Sequence, residues 1–239
     1  MMKIGIITFQ RAHNYGAVMQ AYALLTTLQN MGHSVEIIDY WPKYRSGHYS
    51  LVYFDEKRNI KKRFSAPGLK NFAKEVVSFP LRYRQYQKFK TFIRCNLKVG
   101  KNSFHLGSDI PHKYDIIVCG SDQVWRYNFR GNSGFDNVYF AQYPVNKDVT
   151  KIAYAASMGD EVIDEHAQRV LSKLLENFDF ISVREQSLLE LIKPLTNVKP
   201  VKVLDPVFLL SETEWRKIIR KNDKKKKYLL FYQLLPSTE

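Results

Sequence analysis

At 239 residues, 45% hydrophobic and 14% aromatic, the chain has the material for one large core and falls outside the disordered class. It has no apolar run of the roughly eighteen residues a membrane span needs, and its start reads straight into a strand with no signal-peptide cleavage site, so the expectation is a soluble cytoplasmic protein. Of the net charge of +14, residues 55–101 carry fourteen Lys/Arg against three Asp/Glu and residues 216–227 carry eight against one; the rest is slightly acidic, so the total does not argue for nucleic acid.

The chain opens with an apolar run at 3–9, a polar turn, and an apolar-periodic segment at 16–31 closed by Gly32. A second strand at 34–40 carries Asp39 near its end, and together these make a βαβ unit with parallel strands. The alternation then breaks, and residues 42–105 read as a basic insertion holding two amphipathic helical segments separated near Pro80. Strands are expected at 114–119, 151–156, 180–183 and 201–204, and helices at 164–177, 185–192 and 212–221. This is α/β order, a Rossmann-like parallel sheet with helices on both faces, whose ligands bind beyond the carboxyl ends of the strands. Residues 1–222 are expected to form that domain, and 223–239, with the lysine run 224–227, a linker and the first strand of a second, truncated domain.

What each strand delivers to the carboxyl edge is therefore informative. After the first come His13, Asn14, Tyr15 and Gly16, at a helix amino terminus that Asn14 can cap and whose free N–H groups suit an anion or a sugar oxygen. A capped helix with Tyr15 packed inside explains most of the same residues, and both readings stay open. There is no GxGxxG and no P-loop lysine. After the 114–119 strand come Gly120, Ser121, Asp122, Gln123, Val124 and Trp125. A carboxylate and carboxamide can hold a sugar diol while an aromatic face meets its C–H surface, and this is preferred over an Asx-type turn with a buried tryptophan. Further along come Ser157 and Arg184-Glu185; an arginine at a strand end suits a phosphate or carboxylate, although a salt bridge is the commoner use. Asp205-Pro206 reads as a structural helix-starting turn, and Asp115, Asp136 and Asp148 as isolated surface or turn acids. Cys95 and Cys119 have no metal-like spacing and read as reduced, partly buried thiols. HExxH, DxD-like and Gly-x-Ser-x-Gly patterns are absent.

Taken in order, His13-Asn14-Tyr15-Gly16-Ala17, Gly120-Ser121-Asp122-Gln123-Val124-Trp125, Tyr154-Ala155-Ala156-Ser157-Met158-Gly159, Ser182-Val183-Arg184-Glu185 and Leu204-Asp205-Pro206 resemble the polysaccharide pyruvyl transferase family. Each motif alone is weak, whereas five in order over residues 3–210 are specific. The resemblance implies the amino-terminal half of a GT-B-like two-domain architecture with its active site between the halves. It implies transfer of pyruvate from phosphoenolpyruvate to two hydroxyls of a sugar or lipid-linked oligosaccharide as a cyclic ketal, with phosphate released, in the synthesis of bacterial cell-wall polymers and exopolysaccharides. No cofactor beyond the donor substrate and no metal is implied. Asp122 is the preferred acid/base, and Arg184 matches a family arginine suited to the donor. His13, Asn14, Tyr15, Gly16, Gly120, Ser121, Gln123, Trp125 and Ser157 are expected to line the substrate side. The family's donor-binding histidine lies in the carboxyl-terminal half, so that a missing half, or a partner supplying it, is expected for turnover.

Two other functions share this architecture: a sugar- or anion-binding half-domain without turnover, and half of a nucleotide-sugar glycosyltransferase. The basic helices fit either a cover for the sheet with lysines in solvent, the preferred reading, or a surface for an anionic membrane at the inner face. No nucleic-acid motif accompanies them.

Overall fold

A computed structural model describes residues 1–45, 66–128, 132–146, 148–159, 161–219 and 229, with only the backbone described at 66–76. The expected linker and strand at 223–239 thus lie outside the described residues, Leu229 apart, as do residues 46–65 of the expected insertion. Strands β1 (Lys3–Ile7), β2 (Ser34–Tyr40), β3 (Val99–Phe104), β4 (Ile116–Cys119), β5 (Thr150–Ala156), β6 (Phe180–Val183) and β7 (Val201–Lys202) form one sheet. Its order is β3-β2-β1-β4-β5-β6-β7, and every neighbouring pair is parallel.

The short apolar strands are explained by burial on both faces. Successive residues of β1, β2 and β4 enter opposite cores: Ile6, Ile37 and Val118 pack under α1 (Tyr15–Asn30) with Ala21, Leu24 and Leu25. Ile7, Ile38 and Ile117 face the other way, in a core shared with Ala167 and Leu171 of α3 (Glu165–Leu175) and Leu188 and Ile192 of α4 (Gln186–Ile192). A strand covered on both sides cannot alternate apolar with polar, which is why these read as continuous apolar runs.

Helix ends follow the chemistry of their caps. Asn14 Oδ1 accepts from the Ala17 N–H at 3.2 Å to start α1, and Asp164 does the same for Ala167 at the start of α3. Ser211 and Glu214 form a reciprocal capping box on α5 (Glu212–Arg216). This last segment lies against α1, with the rings of Trp215 and Tyr22 5.7 Å apart and Asn30 donating to Glu214.

Two expectations about residues 42–105 need correction. A single helix α2 (Ala66–Asn96) runs through Pro80, where two segments were expected. Pro80 is exposed, so backbone groups left without a helical partner there can be solvated. The segment also ends in a strand: β3 joins the sheet beside β2, and the expected insertion therefore supplies its outer edge. Its sequence, VGKNSF, shows no apolar alternation because an edge strand is covered only in part.

Candidate functional site

In this strand order the chain leaves β1 towards β2 and β3, then returns to place β4 on the other side of β1. The carboxyl ends of β1 and β4 flank that switch point, where open parallel sheets bind their ligands. The loop from β1 (Thr8 to Asn14) and the loop from β4 (Gly120 to Trp125) are its two lips.

The lips are tied together through α1. Gln20 is buried, donates to Thr8 Oγ1 at 2.8 Å, and accepts from the Ser121 N–H at 3.2 Å; Thr8 Oγ1 in turn donates to the Ser121 carbonyl. Ser121 Oγ is spent on the Ala155 carbonyl at 2.7 Å, so this fully buried serine anchors the loop and does not reach a substrate, correcting the expectation for it. Gly120 has φ +114°, and a Cβ there would strike the Tyr154 carbonyl oxygen, so the lip rests on the backbone of β5 in a way only glycine permits.

Trp125 is corrected as well. Its indole has no exposed surface, donates to the Tyr139 carbonyl at 3.0 Å and stacks on Phe140 at 4.9 Å, so no face remains for a sugar. Asp122 and Gln123 are the part of the loop that stays partly open. Asp122 sits at φ 77°, in the left-handed region that aspartate tolerates better than most residues, and its Oδ1 accepts from the Gln123 N–H at 2.8 Å. Burial raises its pKa above the ordinary carboxylate value, against the Gln123 N–H and the charges of Arg184 and Arg45, which pull the other way. The result is a carboxyl that retains its proton more readily than usual, within the field of the Arg184 and Arg45 charges. Gln123 extends across Gly159, where a Cβ would stand 2.9 Å from its Nε2.

Arg184 is held in a network. Nε donates to Glu185 Oε1 and Nη1 to Asp205 Oδ2, both at 2.9 Å, and Nη2 donates to Ser157 Oγ at 3.2 Å, while Ser157 donates to Glu185 at 2.7 Å. Burial disfavours the charge, yet Glu185 and Asp205 raise the arginine pKa above its ordinary value. Both readings of Arg184 meet here: it stands at the carboxyl edge, and it is salt-bridged. Ser157 is wholly buried within the network and positions Arg184. Arg184→Ala should leave Glu185 and Asp205 without their cation and lower the unfolding free energy by about 1–3 kcal/mol, read by urea denaturation; an unchanged midpoint would show that the network adds nothing to stability.

On the β1 side, His13 lies parallel to Phe89 of α2 at 5.4 Å and edge-on to Tyr86, and burial lowers its pKa. Tyr15 is exposed and tilted against Phe89, contrary to the packed-inside reading. Asp39, at the end of β2, is buried and engaged by Arg11 in a salt bridge and by Gln10 at 3.0 Å. The position where a dinucleotide fold would present an acid to a ribose is thus already filled.

One charged residue that the sequence does not single out is buried beside the β1 lip. Arg45 is 2% exposed, with its guanidinium 3.4 Å from the Phe9 ring centroid and Nη1 donating to the Tyr139 hydroxyl at 3.3 Å. Asp136, expected as a surface or turn acid, is a turn acid: it accepts from the Val138 N–H at 3.0 Å to start the Asn137–Phe140 turn, and also from the hydroxyls of Tyr40 and Tyr44, and burial raises its pKa. Asp115, expected as a surface or turn acid, is exposed and accepts from the Lys3 N–H at 2.7 Å. Cys119 is fully buried and its thiol is pushed up to about 12 by burial, whereas Cys95 is exposed and not partly buried. Among the described residues no group of three or more His, Cys, Asp or Glu could hold a metal ion.

A family model described as polysaccharide pyruvyl transferase matches residues 14–239. The chain belongs to the polysaccharide pyruvyl transferase family. That match takes in Asn14, the 120–125 loop, Ser157, Arg184 and Asp205, the residues that the fold collects at one edge of the sheet. No curated protein and no solved structure matches the chain. The pyruvyl transferase family is one of transferases, and among the described residues no helix is long and apolar enough to cross a membrane.

Proposed function

We propose that this chain transfers pyruvate from phosphoenolpyruvate to two hydroxyls of a sugar at the crevice between the ends of β1 and β4. The observation that carries the reading is Asp122: a carboxyl at the switch point whose burial favours its protonated form, with Arg184 and Arg45 as neighbouring cations. Protonated Asp122 delivers its proton to the methylene carbon of the enol, which becomes a methyl group and leaves a cationic centre at the adjacent carbon. One sugar hydroxyl attacks that centre. A second then forms the other C–O bond as the bond to the phosphate oxygen breaks, and phosphate departs. Of the two hydroxyl protons, one restores Asp122 and the other leaves with phosphate, so the sum is donor plus diol giving ketal plus phosphate.

In this reading Gln123 hydrogen-bonds the acceptor, His13 and Tyr15 border it, and the free N–H groups at the start of α1 face the anionic donor. The opposite wall and the further cations come from a second Rossmann-like half of a GT-B-like architecture. One observation favours a non-catalytic, sugar- or anion-binding half-domain as the second reading: each of the three nitrogens of Arg184 already donates within its network.

The test is to incubate phosphoenolpyruvate and a panel of galactosides, mannosides and N-acetylhexosaminides with this chain and with a longer version carrying a second half. Phosphate release together with a pyruvyl mass addition to one glycoside is the expected result. Sugar binding without product in either version supports the half-domain, and consumption of a nucleotide sugar in place of phosphoenolpyruvate supports a glycosyltransferase.

A further inference from the structure

Arg45 is a charged residue that the packing of the sheet does not call for. The turn Lys43–Arg45 follows β2 and folds its last side chain inward, out of water. Removing a guanidinium from water is costly, and an apolar side chain of similar length would fill the same space without that penalty. The contacts of Arg45 show what its flat fork and its charge are used for.

One face of the fork lies over the ring of Phe9, a residue of the β1 lip, 3.4 Å from its centroid. Nη1 donates to the Tyr139 hydroxyl at 3.3 Å, and the Tyr139 carbonyl accepts the indole N–H of Trp125 at 3.0 Å. Trp125 closes the β4 lip, three residues after Asp122. Phe9 and Tyr139 also meet edge to face, with centroids 5.2 Å apart. Arg45 thus joins the β1 lip to the anchor of the β4 lip by a route separate from the Gln20 tie. Its charge reaches the carboxyl between them. Burial and the charge of Asp205 favour the protonated form of Asp122, whereas the Gln123 N–H, Arg184 and Arg45 favour the carboxylate. Asp136 and the hydroxyls of Tyr40, Tyr44 and Tyr139 face the same cation.

We propose that Arg45 is a positioning residue of the crevice, one that fixes the two lips to each other through Phe9 and Tyr139 and sets its charge against the Asp122 carboxyl. It is too deeply buried to meet a substrate and acts through the residues it holds. Its effect on turnover rests on the proposed role of Asp122 as proton donor; its effect on the Asp122 carboxyl does not.

Carbon NMR of the full chain labelled in its aspartate carboxyls follows Asp122 directly, its signal being the one missing from Asp122→Asn. Arg45→Met and Arg45→Gln remove the cation and should move the Asp122 midpoint to higher pH, while Arg45→Lys keeps a cation and should leave it near the parent. Asp136 should move in the neutral variants whatever the role of Arg45, so Asp122 is the signal that decides. Turnover reads the geometry. Lysine lacks the fork that lies on Phe9, so kcat of Arg45→Lys should fall about 10–100-fold with KM little changed. Tyr139→Phe keeps the ring and the carbonyl, loses the hydroxyl, and should lower kcat as well. In the neutral variants the alkaline limb of kcat should follow Asp122 to higher pH, because the protonated carboxyl is the active form. An Asp122 midpoint unmoved in both neutral variants overturns the proposal and leaves Arg45 as a structural partner of Asp136; so does parental kcat in both Arg45→Lys and Tyr139→Phe. A shifted Asp122 midpoint in a chain that does not consume phosphoenolpyruvate supports the placement of Arg45 and counts against the proposed reaction alone.

Discussion

Trp125→Ala is expected to lower the unfolding free energy by about 3–5 kcal/mol, the range for a large aromatic removed from a packed core. The indole lies between Phe140 and Phe178 with no surface in water, and its N–H is the donor to the Tyr139 carbonyl. Truncation leaves a cavity that the two phenylalanines cannot close without moving β6 and the Asn137–Phe140 turn, and it deprives a buried carbonyl of its partner. Trp125→Phe keeps most of the volume and loses the hydrogen bond, so it should fall between the alanine variant and the parent. Denaturation curves measure both. A sugar-stacking tryptophan would behave in the opposite way, with acceptor binding lost and the midpoint unmoved, and that outcome would undo the assignment of Trp125 to the core.

Asp122→Asn carries the largest expected effect on activity. Under the proposed reaction the variant cannot supply the proton, and kcat should fall by about 10²–10⁴-fold. The effect on stability should run the other way. Burial raises the pKa of Asp122 in the folded chain, so its contribution to stability is full below the ordinary aspartate value and is lost as pH rises through the raised one. Asparagine does not ionise, accepts from the Gln123 N–H just as well, and tolerates φ 77°. The variant should therefore match or exceed the parent in stability at neutral pH, with the difference closing in acid. Urea midpoints across pH read the stability and steady-state rates read the chemistry. Retained turnover would remove Asp122 from the acid role, and a less stable variant at neutral pH would mean that the carboxylate is favoured where it sits.

The sheet's plan was legible because burial on two faces writes itself as unbroken apolar runs. Residues 34–40 read as a strand with the boundaries the structure has, and Asn14 reads as the cap it is. β3 was not legible: an edge strand needs few apolar residues, and VGKNSF supplies few. Nor does a strand-end sequence say which way its aromatic turns. The 120–125 loop puts Asp122 and Gln123 partly in solvent and Trp125 in the core, and what decides it is the pocket made by Phe140 and Phe178, residues 15 and 53 positions further on. Arg184 was placed correctly at the edge, but its partners Asp205 and Ser157 lie 21 and 27 positions away and meet it only through sheet pairing. Arg45 gave no signal at all. A lone arginine after a polar turn reads as solvated, and its burial depends on Phe9, Trp41 and Tyr139, aromatics from three separate segments.

Gln20 bears on how the crevice meets a ligand. One carboxamide, buried on α1, grips Thr8 on one lip and Ser121 on the other, so the two cannot drift apart or close independently. The rim between them is preorganised. Little backbone entropy is left to be lost when a ligand arrives, and selectivity at this edge falls to the side chains that still have freedom, those of Asp122, Gln123 and Tyr15.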